Sequence, residues 1–154
     1  MSPITRQPLD AMSVRYVVKH MRDYDRAEIF ATRWDDNEDS LVADTLAAGP
    51  MSWVLGRERP IACWGAQELW PGMWTVWMFA TDEFKQVASA LTKFVLCQEI
   101  PQLVDRGIQR AECKSMAGHD VAHRWLERLG AVREATHENY GRGRETFYTY
   151  AWNF

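Results

Sequence analysis

HDVAHRWLERLGAV, residues 119–132, is the stretch whose reading decides the fold. Ala122, Trp125, Leu126 and Leu129 fall at i, i+3, i+4 and i+7, one apolar stripe of a helix. Gly130 follows where a left-handed residue ends a helix, so the helix is expected to stop there. Upstream, residues 110–114 read as a strand. Downstream, AVREA and ETFYTYAW read as two more, joined by a turn around GRGR. The resulting order is strand, helix ending in Leu-Gly, strand, strand.

Toward the N-terminus, residues 14–18 are a short β-branched and aromatic run that reads as a strand, leaving residues 1–12 as an arm. YDRAEIFATRW has a helical face of Ala27, Phe30, Ala31 and Trp34, with Asp23 as a candidate cap. After the acidic turn DDNED, residues 40–48 read as a second helix. Gly49-Pro50 breaks the chain, and MSWVLGR and PIACWGAQELW then form a hairpin. MWTVWMFA has almost no polar residue, which predicts a strand covered on both faces. Thr81 or Asp82 caps a helix over residues 83–99, its inner face traced by Phe84, Val87, Ala88, Leu91, Phe94, Val95 and Gln98, with Pro101 kinking any extension. The predicted order is β-α-α-β-β-β-α-β-α-β-β, a single α/β (α+β) domain over residues 13–154.

Composition limits the function classes. At 154 residues the chain buries a core without staples, and 47 % hydrophobic content excludes disorder. A net charge of −3 argues against a general nucleic-acid binder. No apolar run approaches the ~20 residues of a membrane span, and MSPITRQPLD does not read as a signal peptide. Cys63, Cys97 and Cys113 lack CxxC spacing and read as reduced thiols in a cytosol-like compartment. Of eight tryptophans, four lie in residues 64–77, which predicts a core between sheet and helices, with a ligand groove as the alternative.

The element order, with the Leu-Gly helix near its end, resembles the GNAT superfamily of acyl-CoA-dependent N-acetyltransferases. That resemblance implies a mixed sheet whose central strand splays from its neighbour, with acetyl-CoA in the gap. MWTVWMFA would be that strand, its backbone at Met78, Phe79 and Ala80 pairing with the pantetheine arm as an added strand would. The family's phosphate loop, Gln/Arg-x-x-Gly-x-Gly/Ala, corresponds to Lys85-x-x-Ala88-x-Ala90, with Gln86 inside it. Both glycines are alanine here, and Asp82 and Glu83 ahead of the loop repel a pyrophosphate. In the family's Asn-x-x-Ala-x-x-hydrophobic-Tyr-x-x-Leu-Gly-Phe pattern, His119 stands at Asn and is assigned to the cofactor. Leu126 stands at the tyrosine that serves as general acid, and leucine has no proton to give. A narrower resemblance rests on Trp125-Leu126, Leu129-Gly130-Ala131-Val132 and the aromatic C-terminal strand. These residues look like a small GNAT-like family of short-tailed bacteriophages, whose members are acetyltransferase-like or internal virion proteins.

An amine acceptor needs a base, and Glu68 and Glu112, on strands beside the proposed cleft, are the candidates. Solvent-facing strand positions are the plainer reading of both. Tyr140, Tyr148 or Tyr150 would replace the missing tyrosine, with an aromatic packing face as the alternative for the last two. His119-Asp120-x-x-His123 imitates a zinc-protease helix, but Asp is one carbon shorter than the usual Glu and no third ligand is evident, so no metal is expected. Arg142 and Arg144 could touch phosphate or simply be solvated. Two functions follow. One is N-acetyl transfer from acetyl-CoA to a small or protein amine in a host-cell cytoplasm. The other is a non-catalytic virion component or binder of a host protein. Neither calls for nucleic acid or membrane.

Overall fold

The computed structural model describes residues 2–154. Its sheet has seven strands: β1 (Thr5–Pro8), β2 (Ser52–Gly56), β3 (Pro60–Trp70), β4 (Met73–Ala80), β5 (Arg110–Met116), β6 (Val132–His137) and β7 (Phe147–Asn153). Their order is β1-β2-β3-β4-β5-β7-β6, and only β4 and β5 run parallel. The expected α/β mixed sheet is therefore present.

The N-terminal reading needs correction. Residues 14–18 are not a strand; they lie in α1 (Ala11–His20), and the first strand is β1, inside the stretch expected as an arm. Val14, Val17, Val18 and Met21 repeat at helical spacing and are all buried, so the period outweighs the β-branched composition. Asp10 caps the helix, its Oδ1 accepting Ser13 N–H at 2.9 Å. α2 (Asp23–Ala31) stops before Trp34, which stands in solvent rather than on the helical face. α3 (Glu38–Leu46) is capped by Asn37.

α1 and α3 cover one face of the sheet, where Val54, Cys63 and Phe79 meet the α1 stripe and Leu41 and Val42. On the other face runs one long helix. After a 3-10 turn (Asp82–Gln86) come α4 (Ala88–Phe94), a π turn (Val95–Glu99) and α5 (Ile100–Asp105), with helical backbone through both joints. Proline lacks an N–H and crowds the preceding turn, and the widened π turn just before Pro101 lets the helix continue where a kink was expected. α6 (Asp120–Arg128) covers β5 and β7. It ends at Gly130 (φ +98°) in a Schellman motif: Ala131 N–H donates to Leu126 O and Gly130 N–H to Glu127 O, both at 3.0 Å. The tyrosines of β7 pack beneath it: His123 stacks on Tyr150 and meets the edge of Tyr148.

Candidate functional site

β4 and β5 pair only at Met73↔Arg110, Trp74↔Ala111 and Thr75↔Glu112. Beyond Thr75 they diverge, so residues 76–80 and 113–116 border an open wedge in mid-sheet. Antiparallel pairing alternates which edge each residue's polar groups address. Thr81 N–H donates to Ile61 O toward β3, so the alternation turns the N–H and C=O of Ala80, Met78 and Val76 toward the wedge. A cavity of about 230 Å³ passes through it, reaching α2 on one face and α5 and α6 on the other.

On the α2 face the walls are polar. Asp25, Glu28, Ile29 and Thr32 fall at i, i+3, i+4 and i+7 and all line the cavity. His119, at the start of α6, is buried between two of them. Its Nδ1 lies 3.2 Å from Glu28 Oε2 and its Nε2 3.5 Å from Asp25 Oδ1, and the Tyr24 ring stacks on it at 5.3 Å. Glu28 Oε1 also accepts Met116 N–H at 2.6 Å, which fixes the carboxylate to β5. Asp25 is held by the Arg22 guanidinium at 3.0 and 3.1 Å and accepts Ala80 N–H at 2.9 Å. Burial pushes the Asp25 carboxyl up, against the pull of Arg22 and the Ala80 amide. The donor atoms of Asp25, Glu28 and His119 lie within 4.8 Å of one another, near enough to ligate one ion. Arg22 already neutralises the Asp25 carboxylate, and the two carboxylates address different ring nitrogens. The group is therefore built as a histidine held between two acids.

The loop 141–145 secures α2 from its other end. Arg142 N–H donates to Ala31 O at 2.7 Å, its guanidinium reaches Phe30 O at 3.1 Å, and it pairs with Asp36. Arg142 thus satisfies the open carbonyls at the C-terminus of α2.

On the α5–α6 face the walls are apolar: Val95, Leu103, Trp125, Leu126 and Trp152, with one exception, Glu99. Trp125 of α6 bridges to α4 and to the 3-10 turn before it. Its Nε1–H donates to Thr92 Oγ1 at 2.8 Å, and its ring meets the edge of Phe84 at 6.1 Å.

The expected cofactor residues divide. Met78 lines the wedge and His119 belongs to the α2-face group, whereas Phe79 turns into the core beside Trp77. Ala80 faces the wedge, but its N–H is given to Asp25 and its carbonyl accepts Arg22 N–H at 2.8 Å. Lys85 and Gln86 lie exposed on the 3-10 turn, and Ala88 and Ala90 in the first turn of α4 are half-buried. Glu83 is paired with Arg59 at 2.8 Å, and that bond holds its carboxyl below the usual range.

The expected catalytic residues lie outside the cavity. Glu68 accepts Gly72 N–H at 3.0 Å and closes the β3–β4 turn. Glu112 is engaged by Arg110 at 2.8 Å and Lys114 at 3.4 Å, and the Arg110 bond lowers its carboxyl. Tyr140 packs on Phe147 and His137 in the β6–β7 connection. Cys113 does line the wedge, and burial pushes its thiol up to about 12, far from a thiolate at neutral pH. Asp25, Glu28 and Glu99 were not singled out in the sequence, although the spacing of the first two with Ile29 and Thr32 marks a second face of α2.

Solved acetyltransferases superpose on this chain along almost its whole length. Ard1 from Thermoplasma volcanium superposes with a TM-score of 0.72 at 17% identity, over 97% of each chain. The ribosomal-protein-S18-alanine N-acetyltransferase from Escherichia coli gives 0.70 at 18% identity, over 98% of this chain and 94% of its own. The chain has the GNAT acetyltransferase fold. The structure of yncA from Salmonella typhimurium with its cofactor acetyl-CoA gives 0.70 at 12% identity, over 97% of this chain and 93% of its own. No protein-family model matches the sequence, and no curated protein matches it. No described helix is long and apolar enough to cross a membrane.

Proposed function

We propose that this chain transfers an acyl group from acetyl-CoA to an amine. One observation carries the reading: a continuous cavity through the β4–β5 wedge joins an apolar wall on one face to the Glu28–His119–Asp25 group on the other. The open edge of β4 at Val76 and Met78 would hold the pantetheine arm, with Lys85 beside the phosphates. The donor supplies an activated thioester. His119 takes the amine proton at Nε2, Glu28 fixes the ring by accepting at Nδ1, and Asp25 stabilises the charged ring that results. Glu68, Glu112 and Tyr140 then have structural roles.

The phosphate end fits the donor less well than the wedge does. Ala88 and Ala90 add Cβ atoms where the family has glycine, Glu83 is acidic, and Asp25 occupies the Ala80 amide. Together with Leu126 these features favour a second reading, a GNAT-fold protein that no longer transfers acyl groups. In keeping with the narrower phage resemblance, it would serve as a virion component or bind a host protein.

Thermal shift with millimolar acetyl-CoA and thiol release over a panel of amines separate the two. A rise in Tm together with thiol release that His119→Ala abolishes supports transfer. No shift and no release sink it and leave the binding role, which recovery of the protein from purified virions would support.

A further inference from the structure

The long helix on the apolar face breaks register once, at the π turn Val95–Glu99. A π turn inserts one residue, costs helix geometry, and is found disproportionately at functional sites. Here it exchanges which residue points inward. An unbroken pattern places Gln98 on the inner face, yet Gln98 is exposed and Glu99 is 4 % exposed. The insertion brings a carboxyl into a wall otherwise formed by Val95, Ile100, Leu103 and Leu126. Its hydrogen bond comes from Trp64 Nε1–H at 3.1 Å. Trp64 is the cross-strand partner of Met78, so the carboxyl sits beside the wedge itself. Burying a carboxyl costs stability, and a neutral amide would accept the Trp64 N–H as well.

The chemistry of the wedge does require a carboxyl. Breaking a thioester leaves charge on sulfur, and an unpaired anion between apolar walls is expensive. Leu126 has no proton to offer. We infer that Glu99 is the proton donor to the departing sulfur, acting from the helix wall that faces Leu126. This inference rests on the acetyl-transfer reading. Glu99 gives its carboxyl proton to sulfur as the C–S bond breaks and the amine nitrogen bonds to the acyl carbon. His119 takes the proton that nitrogen loses, and both side chains then exchange with water and reset. Burial raises the Glu99 carboxyl to about 7, against the Trp64 hydrogen bond and the Arg6 charge, so a large share is protonated at neutral pH. Arg6 of β1 lies over the Phe94 ring at 3.6 Å, and Cys113 and Lys114 of β5 line the same cavity.

The test is Glu99→Gln, which keeps the size and an acceptor for Trp64. Thiol release from acetyl-CoA should fall about 100-fold with the acetyl-CoA Kd unchanged, and its alkaline limb near pH 7 should vanish. Leu126→Tyr added to Glu99→Gln should recover about 10-fold, and a thioester of an acidic arylthiol, which leaves without a proton, should be almost unaffected by Glu99→Gln. Independently of turnover, the Tm gap between Glu99→Gln and wild type should widen from about pH 4.5 to 7. Equal thiol release by the two proteins overturns the inference and leaves acetyl transfer standing. A wild type that neither binds acetyl-CoA nor releases thiol overturns both. A loss that is equal for the arylthioester and is not recovered by Leu126→Tyr, or a Tm gap flat with pH, overturns the proton-donor role alone.

Discussion

The two faces of the wedge solve opposite problems. On the α2 face, charged groups are buried but matched: Asp25 has Arg22 and an amide, Glu28 has an amide and His119. On the α5–α6 face a single acid, Glu99, is buried with one tryptophan N–H and a distant arginine. Burial pushes both Asp25 and Glu99 up, but Arg22 and the Ala80 amide pull Asp25 back and fix its geometry, whereas Glu99 has little to oppose its burial. The same residue type therefore acts as scaffold on one side of the sheet and as a proton reservoir on the other.

Asp25→Ala should break the matched face most severely. It leaves Arg22 and the Ala80 amide without an acceptor where α2 meets the end of β4, and breaking a buried pair costs about 3 kcal/mol or more. Urea denaturation should show it, with the half-exposed Glu112→Ala losing far less. Equal losses would mean that burial, and not matching, sets the contrast. The poorly matched face responds to pH. The folded Glu99 carboxyl, raised to about 7, sits above its unfolded value, so its neutral form favours the fold. That contribution is fully present below about pH 4.3, is lost as pH rises through about 7, and amounts to roughly 3 kcal/mol. Glu99→Gln should remove this slope while Glu28→Gln leaves it, as ΔG measured from pH 4 to 8 would show.

The contrast was only half legible in the sequence. The Leu-Gly helix, the apolar β4 and the two hairpins follow from period and turn chemistry, and the mixed sheet from the family resemblance of their order. The first helix was missed because Val14, Val17 and Val18 carry a strand-like composition on a helical period. The acid–histidine group was missed because Glu28 and His119 meet across 91 positions, a pairing no local pattern records. Glu99 was hidden by a register shift: an ideal 3.6 period places Gln98 inside, and Pro101 is the only local trace of the disturbance.

The smallest effect concerns Trp125, the bridge over the apolar face. Thr92→Val removes the hydroxyl that accepts Trp125 Nε1–H at 2.8 Å while keeping the side chain's shape. Trp125 is half-buried and water can replace the lost acceptor, so the cost should be about 0.5–1 kcal/mol, a small fall in Tm. Loosening the bridge would also open a passage between α4 and α6, from Trp125 on the cavity wall toward the 3-10 turn that carries Lys85. If acetyl-CoA runs along that passage, Thr92→Val should bind it more tightly by calorimetry even as the fold weakens. Unchanged affinity with the same loss of Tm would make Trp125 a plain packing contact and would put any donor elsewhere along the wedge.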